Sequence, residues 1–364
     1  MYELTLPRFD GGTFCCQIDS DPEMGALEHL LASTYQERRK YIIIDAKLET
    51  IIPNLRRILA APGTVFIAID PTEALKTLAT CEAILGRILH CSPSKDDLIV
   101  NVGGGALMNI GGFLAGIILR GMDFVHVPTT LTGQIDVCLG GKQAVNANGY
   151  KNQVGLYRDP LHCYCNTTLL GHLGAPLLKA QLVEGMKLCL ARSASDYWAI
   201  YEDLDRVDCT DCEWLSALVP RLLALKVPLV RSDPFEQREG LSLLYGHTVG
   251  HALESASCGR LSHCEAVALG MIVAARISCS LGFGSRELPG LHEDLCVKLG
   301  VDASVPKYLP PGLVLEHLLH DKKRYMGQVH FALIRAVGEL ASSGAGYAHI
   351  VPGPVIADAL HASY

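Results

Sequence analysis

A set of carboxylate and imidazole side chains in the second half of the chain could bind a metal ion. His247 and His251 stand one helical turn apart, His263 precedes a long apolar stretch, and Glu184 lies three residues before Lys187. One glutamate and two histidines are a common ligand set for catalytic zinc, because they leave a coordination position open for substrate oxygens. A lone histidine is more often a surface or core residue, but both histidine motifs here begin a predicted helix. The sequence therefore predicts a metal site, and the spacing does not choose between His247 and His251.

A glycine turn follows a short apolar run at residues 98–102. The run is typical of a buried parallel strand. Gly103, Gly104 and Gly105 come directly after it and precede a mostly apolar predicted helix. This arrangement favours phosphate binding, because glycines let the backbone approach a ligand and a helix N-terminus offers free N–H groups. The dinucleotide fingerprint is incomplete, since Met108 stands where its third glycine would fall, and the motif alone is a weak indicator.

Polar side chains are concentrated between residues 134 and 152, after a predicted strand at residues 124–127 and the sequence Pro128-Thr129-Thr130. The plainest interpretation is a solvated loop that follows a βαβ unit. Loops rarely space Lys, Asn and Gly in this way between apolar flanks, which favours a binding segment. The polar residues are Gln134, Asp136, Lys142, Gln143, Asn146, Lys151 and Asn152.

Strands and helices alternate through the first half of the chain, which predicts a parallel sheet and an α/β, Rossmann-like fold. Residues 41–45 and 64–69 are predicted strands, residues 48–61 a helix, and residues 1–40 an irregular start. Asp45, at the end of the first of these strands, could hold a ribose hydroxyl or simply cap a helix. The helix-start signal at residues 70–73 predicts a helix that reaches about His90 and has Lys76 in its first turns.

From about Thr168 the pattern becomes helical, with no convincing strand before about Val329. Predicted helices cover residues 169–201, 213–231, 239–257, 264–281 and 291–299. The length of 364 residues suits two domains. We therefore predict a Rossmann-like domain at residues 1–167, with a candidate dinucleotide site at its glycine turn, and an all-α, metal-binding domain at residues 168–364.

Composition argues against several classes of function. The net charge is −7, and no basic block stands out, which disfavours a nucleic-acid partner. The longest apolar run, residues 110–119, is too short to span a bilayer. The N-terminal residues lack a basic region followed by a hydrophobic core, so no secretory signal is predicted.

The chain has 14 cysteines, and many of them, Cys138 among them, stand in apolar contexts where a free thiol behaves as a small hydrophobe. Reduced thiols in a cytoplasmic protein are the simplest explanation. One CxxC sequence occurs, Cys209-Thr-Asp-Cys212. Because it lacks a second pair, a zinc or redox role for it is not favoured.

These motifs together resemble the dehydroquinate synthase-like sugar phosphate cyclases. The strings GGGALMNIGGFLAG, VPTTL, GGKQAVN and KN, then ExxK, GHTxGHxxE, HxEAVxxGM and DKKR, occur in the order of that family. The resemblance implies a homodimeric enzyme that uses NAD and a zinc or cobalt ion and acts on a phosphorylated sugar. In such enzymes a ring alcohol is oxidised, phosphate is eliminated, the ketone is reduced again, and an intramolecular aldol reaction closes a carbocycle.

The resemblance also implies roles for individual residues. Glu184, His247 and His263 would be the metal ligands, which leaves His251 for a substrate or phosphate contact. Asp136 would be the carboxylate near the reacting hydroxyls. Further substrate contacts would come from Lys142, Asn152, Lys187, from Arg120 of the neighbouring subunit, and from Lys323, with Lys322 as the alternative to the last.

On the cofactor side, the resemblance implies a lining drawn from the strand ends, the glycine turn and the polar segment. Its members would be Asp45, Glu73, Lys76, Gly104, Gly105, Asn109, Thr129, Thr130 and Lys151.

Two departures from the dehydroquinate synthase pattern bear on the substrate. That pattern has an arginine seven residues before the first histidine of GHTxGH and an asparagine three before, whereas this chain has Gly240 and Leu244. The arginine would bind a substrate carboxylate through two parallel hydrogen bonds, which glycine cannot supply. A substrate that carries a carboxylate is therefore disfavoured.

Asn109, the KQAVN string, Gly240 and Tyr245 resemble the group of this family that cyclises glucose 6-phosphate to 2-deoxy-scyllo-inosose for aminoglycoside antibiotic biosynthesis. That group usually has a glutamate at the position of Leu244 and no Gly140-Gly141 pair. The alternatives are 3-dehydroquinate synthesis, cyclisation of sedoheptulose 7-phosphate, which His251 disfavours, and an NAD- and metal-dependent polyol dehydrogenase. A dehydrogenase would leave the lysines and asparagines of the polar segment without a phosphate to bind.

Overall fold

The computed structural model describes residues 2–148, 150–322, 329–344 and 346–364. The chain forms two compact units, the first of Met1–Gly174 with Thr210–Arg221 and the second of Ala175–Cys209 with Leu222–Tyr364. The first unit extends beyond the predicted boundary at residue 167 because Leu169 packs into its hydrophobic core. No sequence signal indicated that residues 210–221 belong to it.

A seven-stranded sheet forms the centre of the first unit, in the order β1-β2-β9-β6-β5-β3-β4. β1 pairs antiparallel with β2, and the other neighbours are parallel. A separate antiparallel hairpin consists of β7 and β8. The strands of this unit are β1 Tyr2–Pro7, β2 Thr13–Asp19, β3 Lys40–Asp45, β4 Val65–Ile69, β5 Leu98–Gly103, β6 Asp123–Pro128, β7 Lys142–Ala147, β8 Tyr150–Tyr157 and β9 His162–Asn166.

Apolar side chains cover both faces of this sheet, which explains the continuous apolar runs of its central strands. Ile42 and Val100 belong to the core on one face, and Ile43 and Ile99 to the core on the other. The predicted Rossmann-like parallel sheet is confirmed. The helices of the first unit are α1 Gly25–His29, α2 Ala46–Ile51, α3 Leu55–Leu59, α4 Leu78–Leu89 and α5 Gly105–Ile117, with short 3₁₀ or π turns at Leu30–Thr34, Glu73–Leu75, Ile118–Arg120, Gly133–Val137 and Thr167–Leu173.

Two local predictions for this unit were wrong: residues 1–40 are not an irregular start, because they contain the β1–β2 hairpin, and Lys76 does not lie in a helix. The polar segment, for which the sequence favoured a binding segment over a solvated loop, contains the β7–β8 hairpin. Lys76 precedes α4 instead of lying in it, because Thr77 caps that helix by accepting a hydrogen bond from the amide of Thr80. The start signal at residues 70–73 forms only a 3₁₀ turn, which Thr72 caps.

The second unit is mostly helical, as predicted, and its described residues include four short strands near the C-terminal end. Two predicted helices are each broken in the structure. Ser193 caps a new helix within residues 169–201, and Gly246, at φ 76°, interrupts residues 239–257. The elements are α6 Ala175–Arg192, α7 Ala194–Arg206, α8 Cys212–Ser232, which begins in residues of the first unit, a 3₁₀ turn Glu239–Leu244, α9 His247–Ala256, α10 His263–Ser280, α11 Leu288–Lys298, α12 Pro311–Lys322, α13 Gly353–His361, β10 His330–Phe331, β11 Ile334–Ala336, β12 Glu339–Leu340 and β13 His349–Ile350.

One described helix, α10, has the length and apolar composition needed to cross a membrane. It is also 72% buried inside the protein, as expected for a helix at the centre of a domain core. Its first turn is fixed by a capping box in which Ser262 accepts from the amide of Glu265 and Glu265 accepts from the amide of Ser262. His263 is therefore held as the first residue of the helix.

Candidate metal and cofactor sites

Three helices of the second unit bring Glu184, His247 and His263 together. Their candidate ligand atoms all lie within 4.8 Å of one another. Oε1 of Glu184 is 3.4 Å from Nε2 of His263 and 3.6 Å from Nε2 of His247. Two donors bound tetrahedrally at about 2.1 Å from a zinc ion lie about 3.4 Å apart, so these separations fit one shared ion. Oε1 of Glu184 is buried and makes no hydrogen bond with a described residue, which an ion would remedy.

Hydrogen bonds at the far side of each ring fix the two imidazoles for metal binding. Nδ1 of His247 lies 3.2 Å from the carbonyl oxygen of Tyr245, so this nitrogen donates and Nε2 keeps its lone pair. Nδ1 of His263 lies 3.2 Å from Oε2 of Glu254, with the same result. A carboxylate behind a ligating histidine is a common support in zinc sites. Glu254 was not among the predicted site residues, although it is the last residue of the GHTxGHxxE string.

The charges around these ligands also favour a cation. Burial acts to raise the pKa of Glu184, but Lys187 and the two histidines hold it well below its usual value. Burial and the nearby Lys187 lower the pKa of His247, so this ring is neutral. Burial acts to lower the pKa of His263, yet the adjacent carboxylates of Glu184 and Glu254 raise it to about 10. The carboxylates therefore attract positive charge to the position between the rings, and a divalent ion would supply it with both imidazoles neutral.

Lys187 is buried beside these candidate ligands, and its Nζ donates to Oε2 of Glu184 at 2.6 Å. This contact leaves Oε1 of the carboxylate for the ion. His251 is exposed, and its ring centroid lies 5.2 Å from that of His247. The structure thus groups His247, not His251, with Glu184 and His263.

Close approach at three glycines positions α9 against α10. A Cβ atom at Gly270 would lie 2.0 Å from the carbonyl oxygen of Gly246, and one at Gly250 would lie 3.1 Å from that of Ala266. Gly246 itself needs its left-handed φ of 76° to end the preceding turn. Since His247 follows directly, these glycines set where its ring enters the site.

In the first unit, the glycine turn ends β5 and begins α5. A Cβ atom would lie 2.9 Å from Cγ2 of Thr130 if added to Gly104, and 3.1 Å from Cγ2 of Val137 if added to Gly105. The turn therefore presents bare backbone at a helix N-terminus, an arrangement that suits a pyrophosphate. The amide of Thr129 donates to the carbonyl oxygen of Gly103 at 3.0 Å and closes the turn against β6.

Asn109 connects the same helix to the β7–β8 hairpin. Its Nδ2 donates to the carbonyl oxygen of Gly105 at 2.8 Å, and its Oδ1 accepts from the amide of Ala144 at 3.3 Å. The chain therefore uses this asparagine to fix the polar segment next to the glycine turn.

Four further predicted residues share one network of hydrogen bonds and an ion pair with Asn146. Nδ2 of Asn146 donates to Oε1 of Glu73 at 3.0 Å, and Oδ1 accepts from the amide of Asn152 at 2.9 Å. Nζ of Lys76 donates to Oδ1 of Asn152 at 2.5 Å, and Nζ of Lys151 lies 3.7 Å from Oε1 of Glu73. Residues that are about 75 positions apart in sequence are thus joined into one polar surface that contains two ammonium groups.

The remaining predicted residues are placed singly. Asp45 caps α2 by accepting from the amide of Lys47 at 3.0 Å, which is one of the two roles that the sequence allowed for it. Asp136 is half-buried on the π turn, Lys142 is the exposed first residue of β7, and Arg120 is exposed. Lys323 lies outside the described residues, so the choice between it and Lys322 stays a prediction.

Two further features bear on the substrate and on the cysteines. A Cβ atom at Gly240 would lie 2.9 Å from the carbonyl oxygen of Asp233 and 3.0 Å from its carboxylate, so this position is closed to a longer side chain. Cys209 is buried and Cys212 exposed, and neither joins a group of candidate metal ligands among the described residues.

Two family models match the sequence over most of the chain. The model for the 3-dehydroquinate synthase N-terminal domain matches residues 66–180, and that for the C-terminal domain matches residues 182–324. A 2-deoxy-scyllo-inosose synthase of Streptomyces paromomycinus is 36% identical over 280 residues, which are 75% of this chain and 72% of that protein. A 3-dehydroquinate synthase of Pelobacter propionicus is 32% identical over 333 residues, 91% of this chain and 90% of its own.

A solved structure has the same fold over its whole length. The crystal structure of 2-deoxy-scyllo-inosose synthase complexed with carbaglucose-6-phosphate, NAD+ and Co2+ superposes with a TM-score of 0.86 and 27% sequence identity, and the match covers 100% of both chains.

Proposed function

The chain belongs to the 3-dehydroquinate synthase family of sugar phosphate cyclases, and we propose that it is a carbon–oxygen lyase that converts glucose 6-phosphate to 2-deoxy-scyllo-inosose and phosphate. One observation carries the proposal: the buried Oε1 of Glu184 lies 3.4 and 3.6 Å from two imidazole nitrogens whose tautomers suit a metal ion. The similarity to inosose synthases supports the choice of product, and one of them binds a carba analogue of glucose 6-phosphate with NAD and cobalt.

Residues of both units would hold the metal ion, the cofactor and the sugar phosphate. When bound, zinc or cobalt at Glu184, His247 and His263 would polarise sugar oxygens, and NAD at the glycine turn would accept a hydride and return it. Lys187 uses one of its three N–H donors on Glu184, which leaves two that can bind a hydroxyl or phosphate oxygen. The Lys76, Lys151 and Asn152 surface would bind anionic groups of the cofactor or substrate.

The surroundings of Gly240 support a substrate without a carboxylate. Its amide donates to Oδ2 of Asp233 at 2.9 Å, and the space that a side chain would need is filled by Asp233 and Glu236. A guanidinium cannot be offered from this position. A carboxylate that entered the same region would meet like charge, which disfavours its binding.

Because position 244 is not a glutamate, another base must remove the proton of the reacting C–H group. Leu244 is half-buried and cannot accept a proton. We assign this step to the phosphate of the substrate, whose oxygen would take the proton as the C–O bond to phosphate breaks. The proton then leaves with inorganic phosphate, and the electron pair of the C–H bond forms the new double bond.

The proposal includes a cytoplasmic homodimer in which Arg120 reaches the substrate of the partner. Arg120 is exposed and has a left-handed backbone conformation, at φ 62°, beside Leu119 at φ 49°. Such conformations cost free energy for residues other than glycine and often occur at functional positions. None of the fourteen cysteines, all of which lie in the described residues, forms a disulfide, which suits a reducing compartment.

One alternative has an observation in its favour. The dehydroquinate synthase of Pelobacter propionicus matches a longer part of this chain than the inosose synthase does. The Gly140-Gly141-Lys142 sequence also resembles the dehydroquinate synthase pattern. The substrate would then be a heptulosonate phosphate, which carries a carboxylate. Gly240 is the residue that argues against it.

Release of inorganic phosphate tests the proposal. The purified protein would be supplied with NAD, a divalent metal and, in separate reactions, glucose 6-phosphate, sedoheptulose 7-phosphate and the heptulosonate phosphate, with absorbance of NADH recorded throughout. We expect phosphate from glucose 6-phosphate, no accumulation of NADH, and no reaction in the His247→Ala variant. Phosphate only from the heptulosonate would assign dehydroquinate synthesis. Accumulation of NADH without phosphate release would assign a dehydrogenase.

A further inference from the structure

Four cysteine side chains meet inside the first unit, apart from the site described above. They belong to Cys16 on β2, Cys163 and Cys165 on β9, and Cys138 just after the π turn Gly133–Val137. β2 and β9 are parallel neighbours in which Cys16 pairs with Cys163. Side chains two residues apart on a strand leave the same face, so Cys163 and Cys165 point to one side of the sheet. The sulfur atoms of all four lie within 4.8 Å of one another.

The separations fit a single metal ion. Four thiolates arranged tetrahedrally at about 2.3 Å from zinc lie about 3.8 Å apart. The Sγ atoms of Cys163 and Cys165 lie 3.9 Å apart. An iron–sulfur cluster would place several iron and sulfide atoms between the cysteines and hold the thiolates farther apart. The geometry therefore points to a mononuclear tetrathiolate site.

The site is closed to solvent. Cys16, Cys163 and Cys165 are 0% exposed, and Cys138 is 2% exposed. Structural zinc sites have four protein ligands and no open position, whereas a catalytic site needs one. The four cysteines thus differ from the Glu184 site both in ligand type and in access.

A buried N–H group lies on the same face of the sheet as the thiol of Cys163. His126 on β6 pairs with Cys163 in the parallel register, so both side chains leave the same face of the sheet. Asn101 donates through Nδ2 to Nδ1 of His126, which places the imidazole proton on Nε2. This Nε2 is buried and makes no hydrogen bond with a described residue. A thiolate next to it would accept that hydrogen bond, as outer groups do in thiolate metal sites.

We propose that Cys16, Cys138, Cys163 and Cys165 bind one structural zinc ion as thiolates, with His126 as a hydrogen-bond donor to the site. Binding would release the four thiol protons, since the thiolate is the form that ligates. The ion would connect β2 and β9 to Cys138, two residues after Asp136 in the polar segment. It would thereby stabilise the sheet next to a segment to which we assign substrate contacts.

Metal content tests the proposal, since the two sites would bind one ion each. The full chain, purified after expression with added zinc, would be analysed by mass spectrometry of dissolved metals. We expect about two zinc ions per chain in the wild type and about one in H247A/H263A, whose remaining ion is the structural one. Cys163→Ser should also retain one. Cys81→Ser removes a buried cysteine outside the cluster and should retain two.

Absorbance of the cobalt-substituted H247A/H263A protein identifies the ligands. Thiolate ligands give cobalt an intense charge-transfer band in the near ultraviolet, whereas carboxylate and imidazole ligands do not. We expect that band, and its loss on adding a mercurial that blocks thiols. No ion in H247A/H263A, or a bound cobalt without the charge-transfer band, would overturn the proposal and leave four neutral thiols packed as hydrophobic residues. The zinc content and the cobalt absorbance of H247A/H263A are both measured with all cysteines intact. These two results decide the question even if Cys163→Ser fails to fold.

Discussion

The hydrogen bond behind His263 is expected to tune metal binding. Oε2 of Glu254 holds Nδ1 at 3.2 Å and makes the ring a stronger ligand, because a carboxylate attracts the proton that the ring carries. Glu254→Gln keeps an acceptor but removes its charge. We expect the zinc dissociation constant to rise about tenfold, with little change in thermal stability. Competition with a chelator of known affinity measures it. Glu293→Gln, which removes a carboxylate paired with Arg276, is the control, and equal affinities in both variants would contradict a supporting role for Glu254.

Position 244 tests which group removes the proton. If the phosphate of the substrate is the base, Leu244→Glu should change phosphate release from glucose 6-phosphate by no more than about threefold, and Leu244→Gln should behave in the same way. A positioned general base contributes about 10²–10⁴ in rate. A rise of that size in Leu244→Glu, absent in Leu244→Gln, would show that the chain lacks a catalytic group and that the phosphate does not replace it.

Asp159 gives the first unit a stability that depends on pH. Burial raises its pKa to about 6, although Oδ2 accepts a hydrogen bond from the amide of Phe9 at 3.0 Å. In the unfolded chain the pKa is about 3.9, so between about pH 4 and 6 the folded state retains a proton that the unfolded state loses. The contribution of Asp159 to the unfolding free energy is therefore present in full below pH 4 and is lost as the pH rises to 6.

The Asp159→Asn variant removes this titration. Its melting temperature should exceed that of the wild type by more at pH 7 than at pH 4, with a difference in unfolding free energy on the order of 2–3 kcal/mol between the two conditions. Glu82→Gln controls for the change in net charge, because Glu82 is an exposed carboxylate on α4 and is not among the groups that shift the pKa of Asp159. A constant gap between Asp159→Asn and the wild type would contradict the raised pKa.

At the scale of elements, the contact between α9 and α10 should be sensitive to a single methyl group. Gly270→Ala would place a carbon 2.0 Å from the carbonyl oxygen of Gly246, so the helices must separate. We expect a loss of about 1–3 kcal/mol in unfolding free energy and a weaker zinc site, since His247 follows Gly246. Gly86→Ala, in the interior of α4 with nothing within 4 Å of the added carbon, should be neutral or stabilising by up to about 1 kcal/mol. Urea unfolding and chelator competition measure both effects.

The elements that the sequence could predict are those with local signals. A run of apolar residues followed by Gly103, Gly104 and Gly105 defines β5 and the start of α5 without reference to the rest of the chain. The β7–β8 hairpin was missed because its turn lies among polar residues that also suit a loop. Lys76 was misplaced because Pro71 and Thr72 form a start signal for a helix that, after one short turn, begins again at Thr77.

In the candidate sites, too, the sequence predicts what a local motif determines and misses what contacts between distant residues determine. Glu184, His247 and His263 could be named from motifs, but the tautomers depend on the carbonyl oxygen of Tyr245 and on Glu254. Cys16 and Cys163 are neighbours only because β2 lies beside β9. No spacing in the sequence encodes that pairing. The spacing does reveal the CxxC sequence, but its two cysteines join no group of candidate metal ligands among the described residues.

At the scale of the whole molecule, the proposed dimer makes each active site depend on both chains. Arg120 is exposed and held by consecutive left-handed residues at the end of α5, which is costly to maintain without a function. If Arg120 serves the partner's substrate while His247 serves its own, R120A and H247A should each abolish phosphate release as homodimers. Each heterodimer of the two would contain one site with both defects and one site with neither.

Mixing the two inactive variants therefore distinguishes a shared site from a separate one. Unfolding and refolding an equal mixture gives about half heterodimers, and one of their two sites is intact, so about a quarter of wild-type activity per chain should return. If Arg120 acted within its own chain, each heterodimer would contain two sites with one defect apiece, and no activity would return. A mixture of H247A with H263A is the control, because both ligands belong to the same chain and no arrangement of those subunits restores a complete metal site.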